Sequence, residues 1–197
     1  MISDLGKNFP SGIYGFIAAV LGAYFLFGFT SATTFPPPCV MGDESIMSQK
    51  AHGTSNVPVQ SNLKYKVDTK MADQICNFNR HYAEPSGYWE STSFLREADQ
   101  RSNAEEEITF YDSNTGKPLF IAPRGRSFDD FINESEAHGW PSFRDEEVVW
   151  DNVRCLPNGE TVSLDGTHLG HNLPDRKGSR YCINLVCIAG NPIASDS

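Results

Sequence analysis

The chain has 197 residues, of which 39% are hydrophobic and 12% aromatic, enough to bury one core but not two. Its formal net charge is −9, from 16 basic and 25 acidic side chains, and its Lys and Arg residues form no cluster. This balance argues against a nucleic acid or an anionic membrane surface as a partner.

An uncharged apolar segment near the N-terminus, residues 11–32, has the sequence SGIYGFIAAVLGAYFLFGFTSA. It is long enough to cross a bilayer as a helix, and Lys7 precedes it. Such a segment is typical of a cleaved signal peptide or of an uncleaved signal anchor, and its length favours the anchor. We expect residues 1–33 to place the domain in the secretory pathway or on a membrane, outside the cytosol. Cysteines there would be paired or functional, and Asn133, in Asn-Glu-Ser, would be a glycosylation acceptor.

The composition changes after this segment. Residues 34–62 are rich in Pro, Ser and Gly and show no periodicity, so we expect a flexible linker there. Short apolar segments then alternate with turns, which predicts a folded domain over residues 63–193 and a tail over residues 194–197. No pattern assigns a role to residues 51–70.

Turn residues divide the domain into short helices and hairpins. The segment KMADQICNFNRHY (70–82) has apolar residues on one helical face, and SFDDFINESEA (127–137) offers Ser127 as an N-cap, so both predict short helices. The segments EEITFYDSNTGKPLF (106–120) and EVVWDNVRCLPNGETVSLDG (147–166) each carry a glycine turn between strand-like stretches, which predicts β-hairpins. We expect a mainly β domain with antiparallel pairing.

The segment GSRYCINLVCIAG (178–190) holds two of the five cysteines in what the pattern predicts as one β-strand. In that strand, Cys182 shares a face with Arg180 and Asn184, whereas Cys187 points the other way among apolar side chains. A neighbouring guanidinium favours a thiolate, and apolar burial favours a thiol. Cys182 is therefore the candidate nucleophile and Cys187 a core residue. The alternative for Cys182 is a small buried hydrophobe, the common role of a lone cysteine.

Two histidines precede this strand in DGTHLGHNLPD (165–175). His168 and His171 would face opposite ways in a regular strand, but a bulge at Gly170 would turn both imidazoles to one side. Beside a thiol they would serve as proton donor and thiolate partner. A zinc site is disfavoured, because the sequence has neither a third ligand at helical spacing nor a Cys-x-x-Cys pair. Trp140, between a glycine and a proline, suits a pocket wall, with an ordinary core position as the alternative.

Together these segments resemble the B-type methionine sulfoxide reductases, which reduce the R epimer of methionine sulfoxide. The motifs that carry the resemblance, in the family's order, are AEPSGYW (83–89), YDSNTGKPLF (111–120), GWPSF (139–143), THLGHNLPD (167–175) and RYCIN (180–184). The resemblance extends over about residues 82–192. It implies a fold of two antiparallel sheets with short N-terminal helices, in agreement with the hairpin pattern.

The resemblance also implies catalytic roles. Cys182 matches the nucleophile, and His168 and His171 match the active-site histidines. Asn184 matches the asparagine two residues beyond the nucleophile. In this chemistry the thiolate attacks the sulfoxide sulfur, an imidazole protonates the oxygen, and the products are methionine and a sulfenic acid on the cysteine.

Substrate binding and partners follow from the same resemblance. Trp140 matches the indole that packs on the S-methyl group of the substrate, and we assign Arg180 and Asp175 to substrate binding as well. The substrates would be proteins with oxidised methionine, in repair after oxidative stress. No cofactor is implied beyond an external thiol reductant of the thioredoxin type, and we expect a monomer.

The sequence departs from the family pattern in two places. Residues 112–115 read Asp-Ser-Asn-Thr where many members have the first of two zinc-binding Cys-x-x-Cys pairs, so the chain resembles the zinc-free subgroup and we expect no metal. His138 stands where members with the common resolving cysteine carry that cysteine. We therefore expect Cys155 or Cys76 to resolve the sulfenic acid, with direct reduction by an external thiol as the alternative.

Two other functions compete with catalysis. The fold could serve a non-catalytic binder of oxidised methionine or a cysteine-based oxidant sensor, and a Cys-His hydrolase is a weaker third reading. Catalysis is favoured because a pure binder has no need of Cys182 beside the proton donors His168 and His171.

Overall fold

The computed structural model describes residues 34–100, 103 and 106–193. The segment at residues 11–32, for which we expect a signal peptide or anchor, and the tail at residues 194–197 lie outside these ranges. Among the helices within the described ranges, none combines the length and the apolarity that a bilayer crossing needs.

The domain is mainly β, with two antiparallel sheets and short helices, so the predicted fold class is confirmed. The strands are β1 (Ile108–Tyr111), β2 (Pro118–Ala122), β3 (Ser142–Phe143), β4 (Val153–Cys155), β5 (Glu160–Ser163), β6 (His168–Asn172) and β7 (Tyr181–Ile183). One sheet pairs β1 with β2, and the other has the order β3-β7-β6-β5-β4. Both predicted hairpins are present, as the β1–β2 and β4–β5 pairs.

The helices are short, and side chains cap the first and the third of them. The α-helices are α1 (Thr69–Asp73), α2 (Phe94–Asp99) and α3 (Phe128–His138), and α1 continues as a π-helical turn over Gln74–Phe78. The 3-10 turns are Glu44–Met47, Lys64–Lys66, Tyr88–Ser91, Asp145–Glu147 and Leu185–Cys187. Ser127 caps α3 as predicted, because its hydroxyl accepts from the amide of Asp130 in a capping box.

An aromatic core joins the two sheets and α3. Phe143 of β3 stacks on Phe120 of β2, with ring centroids 4.3 Å apart. It also meets Phe110 of β1 and Phe131 of α3 at 5.2 and 5.3 Å. All four rings are fully buried. Since Phe143 closes the GWPSF motif, this packing fixes the position of Trp140 three residues earlier.

The prediction of one strand through Cys187 is wrong. Strand β7 ends at Ile183, and the chain turns at Asn184 into the 3-10 turn Leu185–Cys187. The cause lies far away in sequence, because the buried carboxylate of Glu84 accepts from the amides of the first two residues of this turn. A carboxylate at the start of a helical turn satisfies amides that have no partner within it.

Residues 34–62 pack against the domain, whereas the sequence predicts a flexible linker there. The amide of Cys155 donates to the carbonyl of Val40 at 3.0 Å, and Gly42 donates to the carbonyl of Cys155 at 2.8 Å. Cys39 joins the main core, and Met47 packs in a smaller cluster with Leu156 and Val162. The described residues from 34 onward belong to one compact unit. The apolar side chains that pack here are isolated among polar residues, so they form no helical or strand periodicity that would predict their burial.

A fragment that begins at residue 63 should be less stable than one that begins at residue 34. The longer fragment keeps the buried side chains of Cys39, Met47 and Val59. Since burial of such side chains stabilises by about 1.5–3 kcal/mol each, we expect a loss of about 5 kcal/mol. Urea unfolding followed by tryptophan fluorescence measures the difference. Equal unfolding free energies for the two fragments would contradict the packing of this segment.

Candidate active site

Five of the predicted residues line one cavity of 280 Å³. They are Trp140, His168, His171, Cys182 and Asn184. Arg80, His81 and Tyr82, from the segment after α1, line it as well. The structure thus brings together the predicted nucleophile, both histidines, the asparagine and the tryptophan.

The strand register places the thiol at the centre of this site. Cys182 on β7 lies opposite His171 on β6 and opposite Ser142 on β3. Between β5 and β6 the register shifts, so that His168 and Gly170 face consecutive residues of β5. This irregularity turns both imidazoles to the cavity, with ring centroids 5.8 Å apart, as the sequence predicts. Gly170 is required here, because a Cβ atom at that position would lie 2.0 Å from the carbonyl oxygen of Cys182.

Arg180 lies on the thiol. Its Nη1 donates to Sγ of Cys182, and the hydroxyl of Ser142 lies 3.8 Å from the same sulfur. The Nε of Arg180 is within 3.4 Å of the Asp175 carboxylate, an ion-pair distance without a hydrogen bond. A guanidinium in this position places a fixed positive charge against the sulfur. The structure therefore places Arg180, predicted as a substrate-binding residue, against the predicted nucleophile.

Asp175, also predicted to bind substrate, is not among the cavity residues. Its carboxylate accepts from Nη1 and Nη2 of Arg144 at 3.1 and 2.8 Å. These hydrogen bonds hold the pKa of Asp175 well below its usual range. Asp175 thus forms ion pairs with Arg144 and with Arg180, the residue that contacts the Cys182 thiol.

The two histidines have different surroundings. Nδ1 of His168 lies 2.7 Å from Oε1 of the buried Glu160. His171 has no such hydrogen bond, and burial followed by the nearby imidazole of His168 lowers the pKa of His171. Histidines that differ in this way can divide the tasks of proton donor and neutral base between them.

Glu84 organises the opposite side of the cavity, a role that the sequence analysis missed. Its amide donates to Oδ1 of Asn184 at 3.0 Å, and its carbonyl accepts from Nε1 of Trp140 at 3.0 Å. Its carboxylate accepts from the amides of Leu185 and Val186 at 2.9 and 3.0 Å. The available signal was the motif AEPSGYW, where a lone acidic residue stands between alanine and proline. One residue therefore aligns Trp140 and Asn184.

The prediction that Cys76 resolves the sulfenic acid is wrong. Cys76 and Cys187 form a disulfide, and both are fully buried. Cys187 is a core residue as predicted, but it is bonded. A cysteine already held in a buried disulfide offers no free thiol to Cys182.

Cys155, the other predicted resolving cysteine, also lies away from Cys182. Strands β6 and β5 separate it from β7, so three steps of about 4.8 Å each put it about 14 Å from Cys182. Its side chain contacts Thr161, on the face opposite to that of Cys182. A hydrogen bond with the buried thiol of Cys39, followed by burial, raises the pKa of Cys155. Such a thiol is unreactive and out of reach of the cavity.

Residues 112–115, which stand where many members of the resembled family have a zinc-binding Cys-x-x-Cys pair, take part in a hydrogen-bond network. Asp112 is fully buried, and its carboxylate accepts from Thr167 Oγ1 at 2.9 and 3.0 Å and from the amide of Asn114 at 2.8 Å. Burial raises the pKa of Asp112, against the effect of these hydrogen bonds. Asn114 extends the network to Asn77 at 2.8 Å. Hydrogen bonds thus join the β1–β2 turn to the start of β6.

Three side chains of the kinds that bind metal ions lie close together near the surface. Glu134, His138 and Asp175 have ligand atoms within 4.8 Å of one another. Arg144 contacts both carboxylates, and Arg126 contacts Glu134. Guanidinium groups therefore already neutralise the negative charge that these carboxylates would offer to a cation.

Comparison with known proteins finds one similar sequence of assigned function. The chain is 36% identical over 75 residues to the peptide methionine sulfoxide reductase MsrB of Pseudomonas entomophila (strain L48). The alignment covers 33% of this chain and 57% of that protein, so the chain spans little more than half of its relative's length. No family model matches, and no solved structure matches significantly. The similarity supports an MsrB-like relationship over part of the chain.

Replacement of Glu84 by glutamine should change how stability depends on pH. Burial raises the pKa of Glu84 from 4.5 to about 7, although its two backbone hydrogen bonds act in the other direction. Between these values the unfolded chain binds fewer protons than the folded one, so wild-type stability falls as pH rises. We expect the unfolding free energy of wild type, relative to Glu84→Gln, to drop by about 3 kcal/mol across this window. Urea unfolding at several pH values measures it.

The exposed Glu90 supplies the matched control for this experiment. Glu90→Gln also removes one carboxylate, but from the surface. The difference in unfolding free energy between wild type and Glu84→Gln should vary with pH more than the difference between wild type and Glu90→Gln. If it does not vary, or if both differences vary equally, the raised pKa of Glu84 is contradicted.

Proposed function

We propose that this protein reduces methionine-R-sulfoxide in proteins to methionine, with Cys182 as the nucleophile. The observation that carries the proposal is the convergence of Cys182, His168, His171, Asn184 and Trp140 in one cavity. The partial similarity to an MsrB points to the same chemistry. The biological role would be repair of oxidised methionine.

The reaction balances with the groups in this cavity. The thiolate of Cys182, in contact with Arg180, attacks the sulfoxide sulfur, and an imidazole donates a proton to the sulfoxide oxygen. The protonated oxygen then transfers to the cysteine sulfur: the sulfur–oxygen bond of the substrate and the transient sulfur–sulfur bond break as a new sulfur–oxygen bond forms, which gives a sulfenic acid on Cys182. The substrate sulfur gains two electrons and the cysteine sulfur loses two. Methionine leaves, and the imidazole recovers its proton from solvent.

The walls of the cavity suit one epimer. The indole of Trp140, aligned by its hydrogen bond to Glu84, forms an apolar surface for the S-methyl group. The histidines lie along β6, where they would receive the oxygen. A sulfoxide of opposite configuration that keeps its methyl on Trp140 would direct its oxygen away from the proton donor. The R preference itself comes from the family resemblance.

Regeneration of Cys182 would use an external thiol. Cys76 and Cys187 are bonded to each other, and Cys39 and Cys155 lie on the opposite face of the sheet. The sulfenic acid would react with a thiol of a thioredoxin-like reductant to give a mixed disulfide and water. A second thiol would then release the Cys182 thiol and leave the reductant as a disulfide.

The first test compares epimers. We expect the full-length protein, with dithiothreitol as reductant, to turn over the R epimer of blocked methionine sulfoxide and not the S epimer. Cys182→Ser should lower the rate by about 10⁴-fold or more, since the nucleophile is lost. Circular dichroism checks that the variant is folded. Equal rates on both epimers, or no turnover of either, would refute the activity. Retention of one epimer without turnover would indicate a binder.

The second test follows the oxidised cysteine. After one equivalent of substrate without reductant, we expect dimedone to label Cys182 and peptide mass mapping to find no disulfide that includes it. Cys155→Ser should keep wild-type turnover with thioredoxin, because its thiol does not reach the cavity. A peptide that links Cys182 to Cys155 or to Cys39 would overturn the external-thiol route.

A further inference from the structure

A series of charged side chains runs from His168 towards the protein surface. His168 and Glu160 are both buried, with 2% and 3% of their side chains exposed, and 2.7 Å separates Nδ1 from Oε1. Nε of Arg80 donates to the Glu160 carboxylate at 3.1 and 3.0 Å, and its Nη2 donates at 2.5 Å. The remaining nitrogen, Nη1, donates to the exposed Glu44 at 2.5 Å.

We propose that Glu160 is a positioning residue for the proton donor of the proposed reaction. It holds His168 with a proton on Nδ1, which leaves Nε2 for the substrate oxygen, and Arg80 holds Glu160 in this position. The inference rests on the proposed function, and it adds two residues outside the motifs that suggested that function.

The hydrogen bond to Glu160 determines which nitrogen of His168 carries the proton. An ionised carboxylate only accepts hydrogen bonds, so its partner Nδ1 must be protonated. Burial alone would raise the pKa of Glu160, but hydrogen bonds from His168 and Arg80 outweigh it and lower the pKa to about 2. The carboxylate therefore stays ionised at any pH at which the protein would work. Nε2 is then the ring nitrogen left for the cavity that His168 lines.

His171 does not share this arrangement, although it lies directly opposite Glu160 in the β5–β6 register. The irregular register brings His168, and not His171, into hydrogen-bond contact with the carboxylate. The charged and titratable groups around the pair are Arg80 and Glu44 on one side and His171 and His81 on the other. Of the two cavity histidines, His168 is thus the one whose ring is hydrogen-bonded to this carboxylate.

The proton balance of the step follows from this geometry. Protonated His168 gives the Nε2 proton to the sulfoxide oxygen as the Cys182 thiolate attacks the sulfur. The Nδ1 proton stays on the ring, hydrogen-bonded to Glu160, and solvent returns a proton to Nε2. A carboxylate that orients a catalytic histidine in this way, without taking its proton, plays the part of the aspartate in serine protease triads.

A purely structural role is the competing explanation. The Arg80–Glu160 ion pair also attaches the segment after α1 to the sheet, so its loss would lower stability. That role predicts no change in the protonated nitrogen of His168 and no change in the pH dependence of the folded variant. These two observables therefore separate the explanations.

The experiment uses the full-length protein and three variants. Glu160→Ala removes the acceptor, Glu160→Gln keeps an oxygen acceptor but removes the charge, and Glu44→Gln is the matched control that leaves the inner pair intact. The measurements are kcat and KM on blocked methionine-R-sulfoxide across pH, and the ¹⁵N shifts of His168, identified by comparison with His168→Gln.

We expect Glu160→Ala to lower kcat by about 10²-fold or more, the usual contribution of a positioned acid, with little change in KM. Its His168 should no longer carry the proton only on Nδ1. Glu160→Gln should keep the Nδ1 proton but move the alkaline limb of its rate profile to lower pH, because an amide does not stabilise an imidazolium. Glu44→Gln should behave as wild type in both measurements.

Wild-type kcat in Glu160→Ala, or an unprotonated Nδ1 in the wild-type protein, would overturn the proposal. If Glu160→Ala does not fold, the pH profile of Glu160→Gln tests the proposal instead. A profile identical to that of wild type would then contradict a positioning role for Glu160. If the wild-type protein reduces no sulfoxide, the proposed function fails. The ¹⁵N shifts then still test the Glu160–His168 pair separately.

Discussion

The site depends on one buried carboxylate, that of Glu84. Burying a carboxylate costs free energy, and here two backbone amides of the 3-10 turn after β7 offset part of that cost. The same residue uses its own amide and carbonyl to hold Asn184 and Trp140. Strand β7, which carries Cys182, therefore ends just before the amides that are hydrogen-bonded to Glu84. Trp140 and Asn184, which line the cavity, are thus both positioned by Glu84.

A second constraint acts on the other side of the cavity. The irregular register between β5 and β6, with Gly170 pressed against the carbonyl of Cys182, turns both histidines inward. Only one of them reaches Glu160, so a symmetrical sequence motif, His-Leu-Gly-His, becomes an asymmetrical pair. Local backbone geometry thus assigns different chemistry to two residues of the same type.

Local signals in the sequence predicted the hairpins, the cap of α3 and the bulge near Gly170, because turn residues and capping groups act within a few positions. The resemblance to known motifs then indicated which residues meet in the cavity. The end of β7 was missed because Glu84 acts from about a hundred residues away. The Cys76–Cys187 disulfide, with a separation of 111 residues, and the packing of residues 34–62 were missed for the same reason. Neither depends on periodicity, so only the assembled fold displays them.

The burial of the Cys76–Cys187 disulfide bears on which bonds a reductant can attack. The bond lies a few residues beyond Cys182, yet both of its sulfurs are shielded from solvent, whereas the Cys182 sulfur faces an open cavity. Thiol–disulfide exchange requires the attacking sulfur to approach along the bond it breaks, so access determines the order of reaction. A protein reductant that meets this surface would discriminate between the two by geometry, and would restore the working thiol while the internal crosslink stays intact. Strand β7 and the 3-10 turn after it would thus carry one sulfur that is renewed and one that stays bonded.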